Sequence, residues 1–437
     1  MTGIKYFINN FSNLVFLRVV SRVIPVLMSG YIIKYTGLHS FGKLEFAKIL
    51  NYLFKLIIAY GFIYTIPRYF FNDKKSSDLT NENEDLKSKI PKILVTILCI
   101  KSFLTILSFF LLLLVFYLVP SLKKDSTVIF LFFIVAVCSG FAPICIYQSI
   151  GKIHIITVFN ILTKLFFYLS IPLYIKSEAD LFYYPLAYCI FEFVRLLVYF
   201  FILFYFYEIR ISRPTFEDII KQFKEGFSWF CFSFYMFFCN NFPILFLKIY
   251  LGNIYVGVYK LGANVIYICQ QVLEPFIQSL YPIVHKKFKN DIILGVKFSL
   301  KILFYYLSLF SLVGLMCYIF SENIIYFFSG GNIILDNAVL FKSSVSILRI
   351  NILIYFLSVV STFIGVQIFS SIGYKYLYSL IVFLGGIISV CLHFILVRYF
   401  NIFGVIYSVL ISEIFIFVTI IILFSFIFLI NGIKKIT

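Results

Sequence analysis

Three features of this 437-residue sequence predict an all-α integral membrane protein, with about twelve transmembrane helices in two six-helix halves. The composition is too apolar for water: 62% of residues are hydrophobic, 21% aromatic and only 13% charged, against about 25% charged in a typical soluble domain. Apolar runs of bilayer length recur from end to end. Glycine, proline and glutamate positions repeat at an offset of about half the chain.

A helix needs about 20 predominantly apolar residues to cross the hydrocarbon core. On that length, spans are expected near 11–33, 42–64, 93–119, 127–149, 154–175 and 182–206, then 226–248, 254–282, 292–320, 341–368, 375–397 and 403–430. The opening residues, MTGIKYFINN, lack the short apolar core and small-residue cleavage site of a secretory leader, so the first stretch is expected to be a retained span. With the N-terminus placed in the cytoplasm, 18 Lys and Arg fall in cytoplasmic segments and 8 in outer ones. That bias places both termini inside.

The repeat is carried by Gly37, Gly42 and Pro67, which return 215 residues later as Gly252, Gly257 and Pro282. Phe141 and Ser149-Ile150-Gly151 return at 222 as Phe363 and Ser371-Ile372-Gly373, and Glu192 at 221 as Glu413. An even number of spans per repeat keeps both halves in one orientation, with a substrate site expected at their interface. The halves are read as 1–209 and 210–437, joined through the polar, Pro-containing segment 207–225.

The formal charge of +18 raises nucleic acid as a partner, but loop cations of a membrane protein account for much of it and no nucleic acid is expected. What loops do not absorb is more informative. Eleven cations lie within the expected spans: Arg18, Arg22, Lys48, Lys55, Lys101, Lys164, Arg195, Lys260, Lys297, Lys301 and Arg349. Setting aside the outermost four residues at each span end, which hold Glu45 and a few lysines, only Glu192, Glu274 and Glu413 share that environment, a balance of +8. A charge at the bilayer centre costs at least ~2.5–3.5 kcal/mol on insertion scales and therefore usually faces a cavity or a partner. Lys101, Lys297 and Lys301 lie near cytoplasmic ends and are expected to snorkel. Glu192 and Arg195, three apart, could neutralise each other.

The remaining charges form stripes. Arg18 and Arg22 share a helical face with Pro25 and Ser29, and Glu45, Lys48, Tyr52 and Lys55 share one on the next span. Lys164 is central in its span, with Asn160 one turn before it. On the eighth span Lys260, Asn264, Tyr267, Gln271, Glu274 and Gln278 fall within an arc of about 80°. Lipid cannot satisfy such a stripe, so it lines either a wet cavity or a polar helix seam. A cavity dominated by cations selects an anion, and phosphate groups suit Arg and Lys. The substrate-binding candidates are thus Arg18, Arg22, Lys48, Lys55, Lys164, Lys260, Asn264, Gln271 and Arg349. Glu192, Glu274 and Glu413 are candidates for coupling to an ion.

Several patterns are set aside. Gly37 through Leu44 nearly spells a phosphate-binding loop, but Leu44 stands where Ser or Thr would bind magnesium and no strand precedes it. Glu82-Asn83-Glu84-Asp85 reads as a solvated loop; the four histidines and nine cysteines show no ligand spacing. No metal, cofactor, disulfide or catalytic group is expected.

The pattern resembles the Wzx-type polysaccharide (O-antigen) flippases of the multidrug/oligosaccharidyl-lipid/polysaccharide exporter superfamily. The resemblance rests on Tyr35-Thr36-Gly37 through Gly42, Ala47, Tyr60-Gly61-Phe62, Gly252 through Gly257, Val258, Tyr259, Pro275, Tyr281-Pro282, Asn401-Ile402-Phe403-Gly404 and Ser412-Glu413. It covers essentially the whole chain, through loose glycine and proline positions. It implies a V-shaped two-lobe transporter of the bacterial inner membrane, and no enzyme. The transporter would carry an undecaprenyl-pyrophosphate-linked oligosaccharide to the outer leaflet. The pyrophosphate would meet the embedded cations, the sugar the wet cavity and the lipid tail the bilayer, with polysaccharide polymerase machinery as a candidate partner. Twelve spans, against the fourteen usual in related lipid II flippases, favour an O-unit or capsule substrate. Two rivals are a cation-coupled multidrug exporter of the same superfamily, whose cationic drugs a +8 interior would repel, and a membrane polymerase or glycosyltransferase, which would need a sizeable outer loop.

Overall fold

A computed structural model describes residues 2–73, 82–206, 213–290, 292–331 and 338–433, and side chains for a smaller set that omits, among others, 2–22 and 271–283. Among the described residues the chain is all-helical, with no strand. Helix α1 (Thr2–Ala59) is two helices joined at Gly37, and α2 spans Phe62–Asp73, α3 Glu82–Leu118, α4 Ser126–Phe141 and α5 Ile144–Ser149. Then come α6 (Ile153–Tyr174), α7 (Tyr183–Phe206), α8 (Phe216–Tyr250), α9 (Asn253–Asn290), α10 (Ile292–Ile319) and the short α11 (Ser321–Phe328). The C-terminal helices are α12 (Ala338–Phe363), α13 (Lys375–Phe400) and α14 (Ile402–Ile433).

Nine segments among the described residues are long and apolar enough to cross a membrane. They coincide with the expected spans from 93–119 to 226–248 and from 292–320 to 403–430, usually with a turn added at an end. The other three expected spans, 11–33, 42–64 and 254–282, also fall on helix, the second interrupted at Tyr60-Gly61. They are outside that count: 11–33 and 254–282 run partly through residues whose side chains are not described, and 42–64 carries Glu45, Lys48 and Lys55 before its break. Two expected loops are shorter than anticipated. The segment 67–92 holds the end of α2 and the start of α3, and the connector 207–225 holds the first turns of α8. Thr215 starts α8 as an N-cap: its backbone N–H donates to the Asp218 carboxylate at 2.9 Å, and the Asp218 N–H approaches Thr215 Oγ1 at 3.4 Å.

Local chemistry explains the interruptions. Gly37 and its repeat partner Gly252 have φ of 78° and 91°, in the left-handed region that glycine enters without steric cost, and each turns the chain between two long helices. Gly151 and Gly373, the second repeated pair, do the same at 77° and 105°. Each closes an irregular stretch that follows a repeated phenylalanine. After Phe141, Ala142 is extended (φ −52°, ψ 129°) because Pro143 lacks a donor N–H and disfavours helix in the preceding residue. After Phe363 the helix widens into a π-helical turn, Ile364–Phe369.

The chain forms two compact units, one of residues 1–34 with 242–437 and one of residues 35–241. In the second unit, α4 packs on α7, α2 on α5 and α6 on α7 around a core that includes Phe62, Ile97, Ile100, Ile146 and Leu203. Tyr147 and Tyr199 enter that core by donating their hydroxyls to the Tyr199 carbonyl at 2.7 Å and the Ile156 carbonyl at 3.2 Å. In the first unit, α12 packs against α9 and α14, and α13 against α14, around Val284, Phe363, Ile368, Phe369, Ile381 and Ile420.

Candidate functional site

The unit of residues 35–241 gathers most of its embedded charge in one place. The second leg of α1 presents Glu45, Lys48 and Lys55 at helical spacing, and α6 contributes Asn160 and Lys164. Helix α7 carries Tyr184, Tyr188, Glu192, Arg195 and Tyr199, spaced so that all five share one face. Glu192 and Arg195 are 3% and 7% exposed, and they form a carboxylate–guanidinium pair one turn apart. Arg195 Nη1 also donates to Asn160 Oδ1 at 2.6 Å, which ties α7 to α6. Lys164 lines a narrow cleft with Thr163, Phe167, Tyr188, Glu192 and Arg195. Lys55 lies within electrostatic reach of both Glu192 and Arg195. One turn before Tyr52, Lys48 donates to Glu45 Oε1 at 2.8 Å, and its ammonium stands 5.0 Å from the centre of the Tyr184 ring.

Lys101 of α3 completes the cluster, and here expectation and structure differ. Instead of snorkelling, it is 3% exposed and donates to the Ala142 carbonyl at 3.2 Å. The reason is the break at Pro143, which leaves carbonyls at the end of α4 without an intrahelical partner; a buried ammonium is the donor that satisfies one. Lys297 and Lys301 are exposed, as snorkelling requires. The cluster therefore holds five cations, Lys48, Lys55, Lys101, Lys164 and Arg195, against two carboxylates, Glu45 and Glu192. Each carboxylate already has a cation beside it, so the cluster is net positive, with Lys101 and Arg195 buried and Lys48, Lys55 and Lys164 half-buried. Tyrosine hydroxyls and the Asn160 amide are dipoles, which orient but do not neutralise. An anion entering from the membrane is the partner such a surplus stabilises.

The other unit holds the α9 stripe. Val258, Leu261 and Val265 are buried, and Gly262 lies so close to α12 that a Cβ would approach the Ser344 carbonyl to 2.7 Å. Lys260 and Asn264 are half-buried on the opposite side of the helix, and Tyr267 is exposed. Lys260, Asn264 and Tyr267 thus face away from the apolar contact that holds α9 to α12. Glu413 of α14, the repeat partner of Glu192, is half-buried near Tyr378. Its i+3 neighbour is Ile416, where Glu192 has Arg195, so the one-turn pair of α7 is not repeated at these positions. Arg349 is placed apart from the stripe, at the end of α10, where it donates to Ser321 Oγ at 2.9 Å. Arg18 and Arg22 lie on α1, and Gln271 and Glu274 on α9, but their side chains lie outside the described residues.

Of the site residues expected from sequence, the structure brings Lys48, Lys55, Lys164 and Glu192 into one cluster. It adds Glu45, Asn160, Arg195 and the tyrosines of α7. The tyrosine spacing on α7 was a readable signal; the carbonyl acceptor for Lys101 was announced only by the Ala142-Pro143 dipeptide.

No curated protein matches the chain. Among solved structures, the lipid II flippase MurJ in its inward closed conformation is similar over 95% of this chain and 87% of its own, with TM-score 0.66 and 15% identity. A multidrug resistance MATE family transporter of the MOP superfamily, inward-facing, matches over 96% of this chain and 99% of its own, with TM-score 0.66 and 13% identity. An outward-facing transporter of that description matches at TM-score 0.52 and 14% identity, covering 93% of each chain. Identities this low show the fold alone, and the fold is that of helical membrane transporters. The family comes from the sequence profile for the polysaccharide biosynthesis protein family, which matches residues 7–288. That stretch contains the repeated glycine turns at Gly37 and Gly252, the whole buried cluster and the α9 stripe, so this all-helical membrane chain with a transporter fold belongs to the polysaccharide biosynthesis protein family.

Proposed function

We propose that the protein is a flippase. It moves an undecaprenyl-pyrophosphate-linked oligosaccharide, an O-antigen or capsule repeat unit, from the cytoplasmic to the outer leaflet of a bacterial inner membrane by alternating access. The observation that carries this reading is the net-positive, half-buried to buried cluster of cations around Glu192 and Arg195 in a chain of the polysaccharide biosynthesis protein family. Lys48, Lys55 and Lys164, with Arg18, Arg22 and Lys260, attract the pyrophosphate; Asn264 and Gln271 hydrogen-bond it or the sugar. Halves at 1–209 and 210–437, both termini in the cytoplasm, and Glu192, Glu274 and Glu413 as ion-coupling groups belong to the same proposal. A cation-coupled multidrug exporter is the second reading, favoured by the equal fold similarity to a multidrug transporter and by the buried Glu192 carboxylate.

Purified protein in liposomes that carry a fluorescent undecaprenyl-pyrophosphate oligosaccharide decides between them. Flipping exposes the inner-leaflet label to an impermeant quencher and is expected to exceed protein-free vesicles severalfold, while ethidium efflux is not expected. Ethidium efflux without lipid flipping would sink the flippase reading in favour of the exporter. Running the assay with and without pH and sodium gradients shows whether an ion is coupled. For orientation, Asn83→Cys in a cysteine-free background is expected to react with an impermeant maleimide only after the cells are opened. Labelling of intact cells would invert the topology.

A further inference from the structure

At the far end of α10, an open groove of about 420 Å³ lies between α11 and the first turns of α12. Phe341 and Val345, both buried, form its floor. Lys342, Ser346 and Arg349, at i, i+4 and i+7 of α12, share one face and line it, with Glu322 at the rim. The Arg349 guanidinium is held on two sides. Its Nε donates to Ser321 Oγ at 2.9 Å, and its plane stands 5.2 Å from the centre of the Tyr318 ring. Nη2 reaches Glu322 at 3.5 Å, the outer limit of a hydrogen bond, and that carboxylate side chain is 66% exposed. Nη1 meets no protein acceptor among the described residues, and neither does the exposed Lys342 ammonium. Two cations therefore face one weakly engaged, solvated carboxylate.

Position decides what such a groove would hold. Tyr318 and Ser321 flank Ile319, the last residue of the α10 span, so the guanidinium stands where that helix reaches the membrane face. Close to it in the chain, Leu315, Met316, Ile319, Phe320 and Val339 are all exposed, apolar side chains next to the groove-lining Glu322 and Ala338 in sequence. A cation-lined groove with a fixed guanidinium, next to exposed apolar side chains, matches a molecule with a phosphate at one end and acyl chains at the other.

We infer that this groove binds the phosphate headgroup of an anionic membrane phospholipid, with Arg349 and Lys342 on the phosphate oxygens and the acyl chains along α10. The site involves one unit only and stands whether or not the chain is a flippase.

The test uses the full-length protein in detergent, with short-chain phosphatidylglycerol, short-chain phosphatidylcholine and inorganic phosphate as probes, read by calorimetry or native mass spectrometry. Phosphatidylglycerol is expected to bind more tightly than phosphatidylcholine. Lys342→Glu is expected to weaken it about tenfold, the weight of one charge-assisted contact. Glu322→Gln, which removes the competing carboxylate, is expected to tighten it about threefold. That opposite sign is not produced by damage to the fold, and neither residue lies in the packed core. Inorganic phosphate that displaces phosphatidylglycerol as well as the lipid itself does would overturn the lipid as ligand and leave a free-phosphate site. Equal phosphatidylglycerol affinity for the unmodified protein and both variants would overturn the site altogether.

Discussion

Arg195→Ala is expected to destabilise the protein by about 3–5 kcal/mol, because it strips the partner from a carboxylate that has almost no access to solvent. It also leaves Asn160 Oδ1 without the guanidinium that joins α6 to α7. Thermal unfolding of the purified protein measures the loss. The double variant Glu192→Leu/Arg195→Leu separates stability from transport. Replacing a buried pair by apolar residues of similar volume is often neutral for folding, so most of the stability is expected to return. Transport of an anionic substrate is not, because the variant removes both an anion-attracting group and the polar wall of the cleft. Unfolding of Arg195→Ala indistinguishable from the unmodified protein would mean that the pair is solvated rather than buried.

The largest functional effect is expected at Arg22. Arg22→Ala should abolish export of surface polysaccharide, Arg22→Lys should retain part of it, and both should reach the membrane in normal amount. A guanidinium can bind two phosphate oxygens through a planar fork that an ammonium cannot copy. One lost charge-assisted bond costs about 1.5–3 kcal/mol, or roughly 10- to 150-fold in affinity. Lys260→Ala is expected to act in the same direction, because Lys260 lies on the side of α9 away from its contact with α12. The measurement is polysaccharide on a complemented deletion strain, normalised to membrane-inserted protein. A structural role would lower protein and activity together. Full activity in well-expressed Arg18→Ala/Arg22→Ala and Lys260→Ala variants would remove these residues from the substrate path.

Much of this protein is determined locally and was therefore readable from its sequence. Nine spans among the described residues follow from runs of apolar residues that cannot be solvated by water. The turns at Gly37 and Gly252 follow from the one residue that tolerates their backbone angles. The α9 stripe follows from helical periodicity alone, and periodicity also placed Glu45, Lys48 and Lys55 on one face of α1.

Only the tertiary structure decided which charges meet. Arg195 bonds Asn160 from 35 positions away, and Arg349 reaches back 28 positions to Ser321. Lys55 and Lys164 converge on the Glu192–Arg195 pair from two further helices. Periodicity fixes a residue's angle about its own helix, but not how far that helix is slid or rotated against its neighbour, and an ion pair depends on both. Lys101 shows the difference most sharply. Its place near a span's end predicted snorkelling to water, yet a proline in the break between α4 and α5 freed a buried carbonyl, and the ammonium turned inward to meet it.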